Sequence, residues 1–131
     1  MEILVDFPAG SRVDAHFDGF TVQTDQLPTA SAPTPFAVFL SSIGTCAGIY
    51  VLGFCQQRSL PTEGIQIVQR IHFDASSGMV NTIDIEIQIP PTFPEKYRQS
   101  LIRAAELCKV KKHLEHPPQF NITTATTEFA L

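Results

Sequence analysis

Three cysteines are the side chains here best able to do chemistry: Cys46, Cys55 and Cys108. Two of them fall in one apolar stretch, "SSIGTCAGIYVLGFCQQR", residues 41–58. A thiol acts through its thiolate, as nucleophile, metal ligand or redox partner, and nearby cations favour that form. Cys46 and Cys55 are nine positions apart, which at about 100° per residue sets them on opposite sides of one helix. They cannot pair with each other there. A redox pair would therefore use Cys108 and one of the other two. Cys46 sits among Gly44, Thr45, Ala47 and Gly48, which leave room for a substrate or a second helix. Cys55 lies beside Gln56, Gln57 and Arg58. Basic residues follow Cys108: Lys109, then Lys111 and Lys112, three and four positions on and so on the same helical face. A buried cysteine otherwise behaves as a small hydrophobe, the plainer reading for Cys55. Lysines closing a helix can simply answer its dipole.

The elements that must hold these thiols can be read from periodicity. Ile3, Val5 and Phe7 alternate with Glu2, Leu4 and Asp6 as an opening strand. Arg12–Phe17, the turn pair Asp18-Gly19 and Phe20–Thr24 form a hairpin, because Asp-Gly accepts the positive φ of a two-residue turn. Residues 25–34 are a loop rich in turn formers. Thr34 can cap a helix and Pro35 fits its first position. Phe36, Phe39, Leu40, Ile43, Ala47, Tyr50, Val51 and Phe54 then recur at helical spacing. No charge occurs between Asp25 and Arg58, which marks a buried helix. Gly44, Gly48 and Gly53 in it point to close approach by another backbone. Two strands follow, with Ile65, Ile67, Ile71 and Phe73 sharing one parity and Ile83, Ile85, Ile87 and Ile89 another. Asp84, Glu86 and Gln88 mark the solvated face of an antiparallel sheet. Pro94 to about Leu114 reads as a second helix whose stripe is Tyr97, Leu101, Ala104, Ala105 and Cys108. Phe120–Thr127 reads as a final strand. Strands, helix, strands, helix and strand in separate runs indicate an α+β fold.

Length and composition narrow the function classes. The 131 residues are most simply one domain, residues 1–131, with ten phenylalanines and only 17% charged residues. So much apolar surface suggests burial against a second subunit. A formal net charge of −4 argues against a nucleic-acid-binding module, which would carry a basic stripe. No apolar run is expected to span a bilayer, and the start has no secretory pattern. The cytoplasm, where thiols stay reduced, is the expected compartment. Cys108, His113 and His116 have ligand chemistry, but a structural zinc site wants four ligands and no fourth presents itself. His16 and His72 lie on strands, and Asp84 with Glu86 reads as solvation. No phosphate loop or Gly-x-Ser-x-Gly elbow occurs.

Two segments carry a family resemblance. "SAPTPFAVFLSSIGTCAGIYV" resembles the first cysteine segment of the OsmC/Ohr superfamily, a Pro-rich lead-in to a long helix holding Gly-x-Cys. "AAELCKVKKHL" resembles the second, which reads Cys-x-Val-x-x-Leu. The resemblance implies antiparallel sheets around two long central helices in an intertwined homodimer, with sites at the subunit interface. It also implies reduction of organic hydroperoxides by thiols, with Cys46 peroxidatic, Cys108 resolving and Cys55 without a counterpart. An external dithiol would restore the enzyme, and no metal or cofactor is required. Arg12, in Gly-Ser-Arg, is the counterpart of the family's catalytic Arg. Peroxidase branches hold that Arg with a Glu after the lead-in Pro; here Phe36 follows Pro35. That change favours a second reading, a dimer that binds a hydrophobic ligand without efficient turnover.

Overall fold

The computed structural model describes residues 1–28 and 30–127. β1 (Leu4–Asp6), β2 (Val13–Phe17) and β3 (Phe20–Thr24) form one antiparallel sheet in that order. Its hairpin turns where Asp-Gly demands it, with φ of 50° at Asp18 and 79° at Gly19. Register puts Val5 opposite Ala15 and Ala15 opposite Val22, with Phe17 opposite Phe20. One face is therefore apolar, and the other carries Asp6, Asp14 and His16. Among the described residues, neither face packs extensively on a helix or on the other sheet. Val5 is 57% exposed and Phe20 68%.

The loop after β3 is fastened by Asp25, which is buried yet accepts hydrogen bonds from Ser11, the Gln26 N–H and both the N–H and hydroxyl of Ser31. The Ser11 hydroxyl and these other donors hold its carboxyl well below the usual carboxylate range.

α1 (Pro35–Gln57) starts as the residues require. Thr34 accepts from the Ala37 N–H at 3.2 Å, and Pro35 occupies the first turn. Ile43, Ala47, Val51, Phe54 and Cys55 are buried along one stripe. Phe36, Phe39, Ile49 and Leu52 stay exposed. Contrary to the expectation from the sequence, α1 is long and apolar enough to cross a membrane by length and composition. Its 23 residues carry no charge, a test that the core helix of a soluble protein also passes. β4 (Gln66–Phe73) and β5 (Val80–Gln88) form a second antiparallel sheet with an irregularity at His72–Phe73. The hydrophobic core lies where this sheet, α1 and α2 meet: Val51, Phe54, Cys55, Phe93 and Leu101 cluster there, with Ile65, Ile67, Ile87 and Ile89 against them.

The glycines of α1 are approached by β4 side chains, where another backbone was expected. A Cβ on Gly44 would lie 2.3 Å from Gln69 Oε1, and one on Gly48 would touch Ile67 at 3.6 Å. Gln69 Nε2 donates to the Leu40 carbonyl at 2.9 Å, clasping α1 to the sheet. Around Gly53 there is open space.

Two further expectations are corrected. The second helix is not continuous from Pro94 to Leu114: a 3-10 turn (Glu95–Tyr97) leads into α2 (Arg98–Ala105), and α3 (Lys109–Glu115) follows a break. Leu107 and Cys108 donate to the carbonyls three residues back, which tightens and ends α2. Cys108 then turns to φ −45° and ψ 119° and caps α3, its sulfur accepting from the Lys111 N–H at 3.3 Å. The two long helices implied by the resemblance reduce, within this chain, to one. Phe120–Thr127 forms no strand. Strand propensity is realised only against a sheet edge. Here the segment meets none, and Ile122 is 94% exposed.

Candidate functional site

The break between α2 and α3 creates the site. Cys108 is almost fully buried, because capping α3 turns its side chain inward against α1. Its sulfur lies 3.9 Å from the Ile43 carbonyl. One helical turn further along α1, Cys46 is half-buried and lies near enough to the Cys108 thiol for each to shift the other's ionisation. The structure thus brings Cys46 and Cys108 together. Cys55 lies on the far side of α1 among Val51, Phe54 and Leu101, as helical spacing requires.

The two adjacent thiols are electrostatically unlike. Burial pushes the Cys46 thiol up, but hydrogen bonding from the Val110 N–H, the Cys108 thiol and the Lys109 N–H, together with the Lys109 charge, outweighs it. The outcome is a Cys46 thiol more acidic than an ordinary cysteine. Amides at the start of a helix have no intrahelical acceptor, which leaves those of Lys109 and Val110 available. Burial pushes the Cys108 thiol up, and the Lys111 N–H only partly offsets this. Its proton is also held by the Cys46 sulfur, whose negative charge opposes a second ionisation. Cys55 is raised by burial too, with Arg58 opposing. A more acidic thiol beside a less acidic one is the arrangement that two-step thiol chemistry needs.

Cys46 opens onto an apolar depression of about 490 Å³ lined by Phe39, Lys109, Val110, His113, Leu114 and Pro118. Phe36 lies outside this lining, its ring stacked on Phe39 at 5.8 Å between centroids. A second cavity, of about 420 Å³, lies between β5 and α2. Ile85, Ile87, Leu101 and Ile102 make its walls, Ala47 closes it, and Arg98, Glu86, Glu106 and Lys111 rim it.

Arg12 is not among the residues around Cys46. It forks onto Asp14 on the N-terminal sheet, with Nη2 at 2.9 and 2.8 Å from the two carboxylate oxygens. The missing Glu has therefore not left Arg12 unheld. Asp14 also approaches Asp6 and His16 closely enough for a shared cation, but Arg12 already occupies its carboxylate. Cys108, His113 and His116 do not converge as ligands among the described residues. His113 Nδ1 instead lies 2.8 Å from the Lys109 carbonyl. His72 lies 2.7 Å from Asp84 across its sheet, both exposed.

Sequence reasoning missed Lys109 and His113 as walls of the thiol site. Their spacing of four residues was the available signal, since it puts both on one helical face. The continuous helix assumed there obscured where that face points.

The family model described as OsmC-like protein matches residues 28–123. Among solved structures, an OsmC-like protein from Mycoplasma pneumoniae is similar, with a TM-score of 0.70 at 15% identity, covering 88% of this chain and 87% of that one. So is a proposed osmotic stress induced and detoxification response protein from Psychrobacter arcticus, with a TM-score of 0.69 at 17% identity, covering 84% and 85%. At such identities the likeness shows the fold, an α+β arrangement of small antiparallel sheets and helices. No curated protein matches this sequence.

Proposed function

The chain belongs to the OsmC-like protein family, and on that footing we propose that it is a thiol-dependent peroxidase reducing organic hydroperoxides. The observation that carries this reading is the unlike pair: an acidified Cys46 at an apolar depression, backed by a buried Cys108 that keeps its proton. The Cys46 thiolate attacks the terminal peroxide oxygen. An S–O bond forms, the O–O bond breaks, and an alkoxide leaves to become an alcohol, with Cys46 as sulfenic acid. The Cys108 thiol then attacks the Cys46 sulfur, expelling water and forming a disulfide. An external dithiol reduces that disulfide by exchange. Phe39, Val110, Leu114 and Pro118 favour a substrate carrying an alkyl chain over hydrogen peroxide. A detoxification role described for the Psychrobacter arcticus protein agrees with this activity. The chemistry suits a reducing compartment, which we take to be the cytoplasm.

The working form in this proposal is an intertwined homodimer. The uncovered apolar face of the β1–β3 sheet and the exposed Phe36, Phe39, Ile49 and Leu52 of α1 give it an interface. Arg12, already fixed by Asp14, would reach a Cys46 from across that interface. The cavity between β5 and α2 favours the other reading, a ligand-binding dimer. Intact mass decides between them. After one equivalent of cumene hydroperoxide the protein should lose two hydrogens, mapped to a Cys46–Cys108 bond. Cys46→Ser should abolish dithiol-driven peroxide consumption, and Cys55→Ser should leave it intact. An unchanged mass, with equal slow consumption by wild type and Cys46→Ser, would sink the enzyme reading.

A further inference from the structure

The peroxidase reading, on which this inference rests, leaves one proton without a carrier. Attack on an alkyl hydroperoxide releases an alkoxide, a strong base that leaves into an apolar depression. Lys109 and His113 are the two basic side chains lining the depression onto which Cys46 opens, and the rest of its lining is apolar apart from Cys46 itself. His113 is held there by its own helix. A carbonyl oxygen only accepts, so the 2.8 Å contact of Nδ1 with the Lys109 carbonyl requires the proton on Nδ1. Nε2 is then the ring atom that gains and loses a proton, and it has no hydrogen-bond partner among the described residues. The Lys109 backbone thus does two jobs. Its N–H supports the Cys46 thiolate, and its carbonyl fixes the tautomer of His113.

We propose that His113 is the general acid of the thiol site: Nε2, protonated from solvent, gives its proton to the alkoxide that leaves the peroxide. The balance closes. Cys46 has lost its proton to solvent and Nε2 has gained one from solvent, and the thiolate attacks the terminal oxygen of ROOH. The S–O bond forms as the O–O bond breaks, and RO⁻ takes the proton from Nε2–H. Sulfenic acid and alcohol are the products, and the imidazole is neutral again. Sulfur is oxidised by two electrons and the peroxide reduced by two. Lys109 stabilises the negative charge at both ends of the transfer without moving a proton.

The test varies the leaving group. tert-Butyl hydroperoxide releases a strongly basic alkoxide, whereas peracetic acid releases acetate, which needs no proton to depart. His113→Gln should lower kcat/KM for tert-butyl hydroperoxide by about 10²-fold, the usual contribution of general acid catalysis. It should leave peracetic acid within about threefold of wild type, because no general acid acts there. His113 is exposed, so the variant should fold, and alkylation of Cys46 by iodoacetamide should stay at the wild-type rate. An equal fall with both oxidants, or no fall with either, would overturn the role of His113 while leaving the peroxidase reading standing. Wild type that consumes neither oxidant in a Cys46-dependent way would overturn both together.

Discussion

Gly44 offers a test of how α1 is held against its sheet, and so of what aims Cys46. An alanine Cβ there would fall 2.3 Å from Gln69 Oε1 and 3.5 Å from its Cδ. The obstacle is the end of a flexible side chain, so Gln69 should swing away and its 2.9 Å bond to the Leu40 carbonyl should break. Leu40 would keep its helical partner, and the loss is one intramolecular hydrogen bond, worth about 0.5–1.5 kcal/mol. Against this, alanine is favoured over glycine inside a helix by about 1 kcal/mol. The two nearly cancel, and Gly44→Ala alone should move stability by no more than about 0.5 kcal/mol. In a Gln69→Ala background the clasp is already gone. There the same substitution should stabilise by about 1 kcal/mol. The coupling in the double-mutant cycle is therefore about 1 kcal/mol, above the few tenths expected of independent sites. Guanidinium unfolding of all four proteins at one fixed protomer concentration reads it. A coupling near zero would refute the clasp. A cost above about 3 kcal/mol for Gly44→Ala alone would mean that backbone, not a movable amide, stands in the way.

Two more outcomes follow from the geometry. Val5→Glu together with Phe20→Glu should convert a dimer to monomers in sedimentation, since both side chains lie on an apolar face that this chain leaves open; wild type sedimenting as a monomer at micromolar concentration would remove the dimer altogether. Alkylation of Cys46 by iodoacetamide should persist as pH falls below the ordinary cysteine range, because a lowered pKa keeps the thiolate present there. Cys108→Ala removes one donor to that thiolate, so its profile should shift toward higher pH; a wild-type profile matching that of a free peptide cysteine would contradict the assignment.

Much of the frame was legible in local chemistry. Asp18-Gly19 set the hairpin, Thr34-Pro35 set the start of α1, and the nine-residue separation put Cys46 and Cys55 on opposite sides. These features depend on residues adjacent in the chain, where turn and capping rules act. What escaped depends on partners elsewhere. Gly44 reads as a site of close approach, but only the fold reveals that Gln69 is the visitor. Phe120–Thr127 has a strand composition but pairs with no sheet edge among the described residues. Arg12 looked unsupported once the expected Glu was missing, yet Asp14, two residues on, takes its place. Arg12 immediately precedes β2, and residues two apart in extended chain share a face, so that spacing was the available signal.

The break after Ala105 is the feature that matters most for chemistry and the one least visible in the sequence. Nothing between Ala105 and Cys108 is a glycine or proline, and the apolar stripe runs through it at helical spacing. A continuous helix would satisfy propensity, but its internal amides would be spent on its own carbonyls. The break releases those of Lys109 and Val110 toward Cys46 and that of Lys111 onto Cys108. It also leaves Cys108 buried against Ile43, where losing a proton is costly. The same departure from regular structure therefore acidifies one sulfur and protects the other. It sets Lys109 and His113 on the wall of the depression beside the reactive one. Local regularity is given up at the point where the two thiols differ, and that difference is the ground for the order in the proposed mechanism, Cys46 first and Cys108 second.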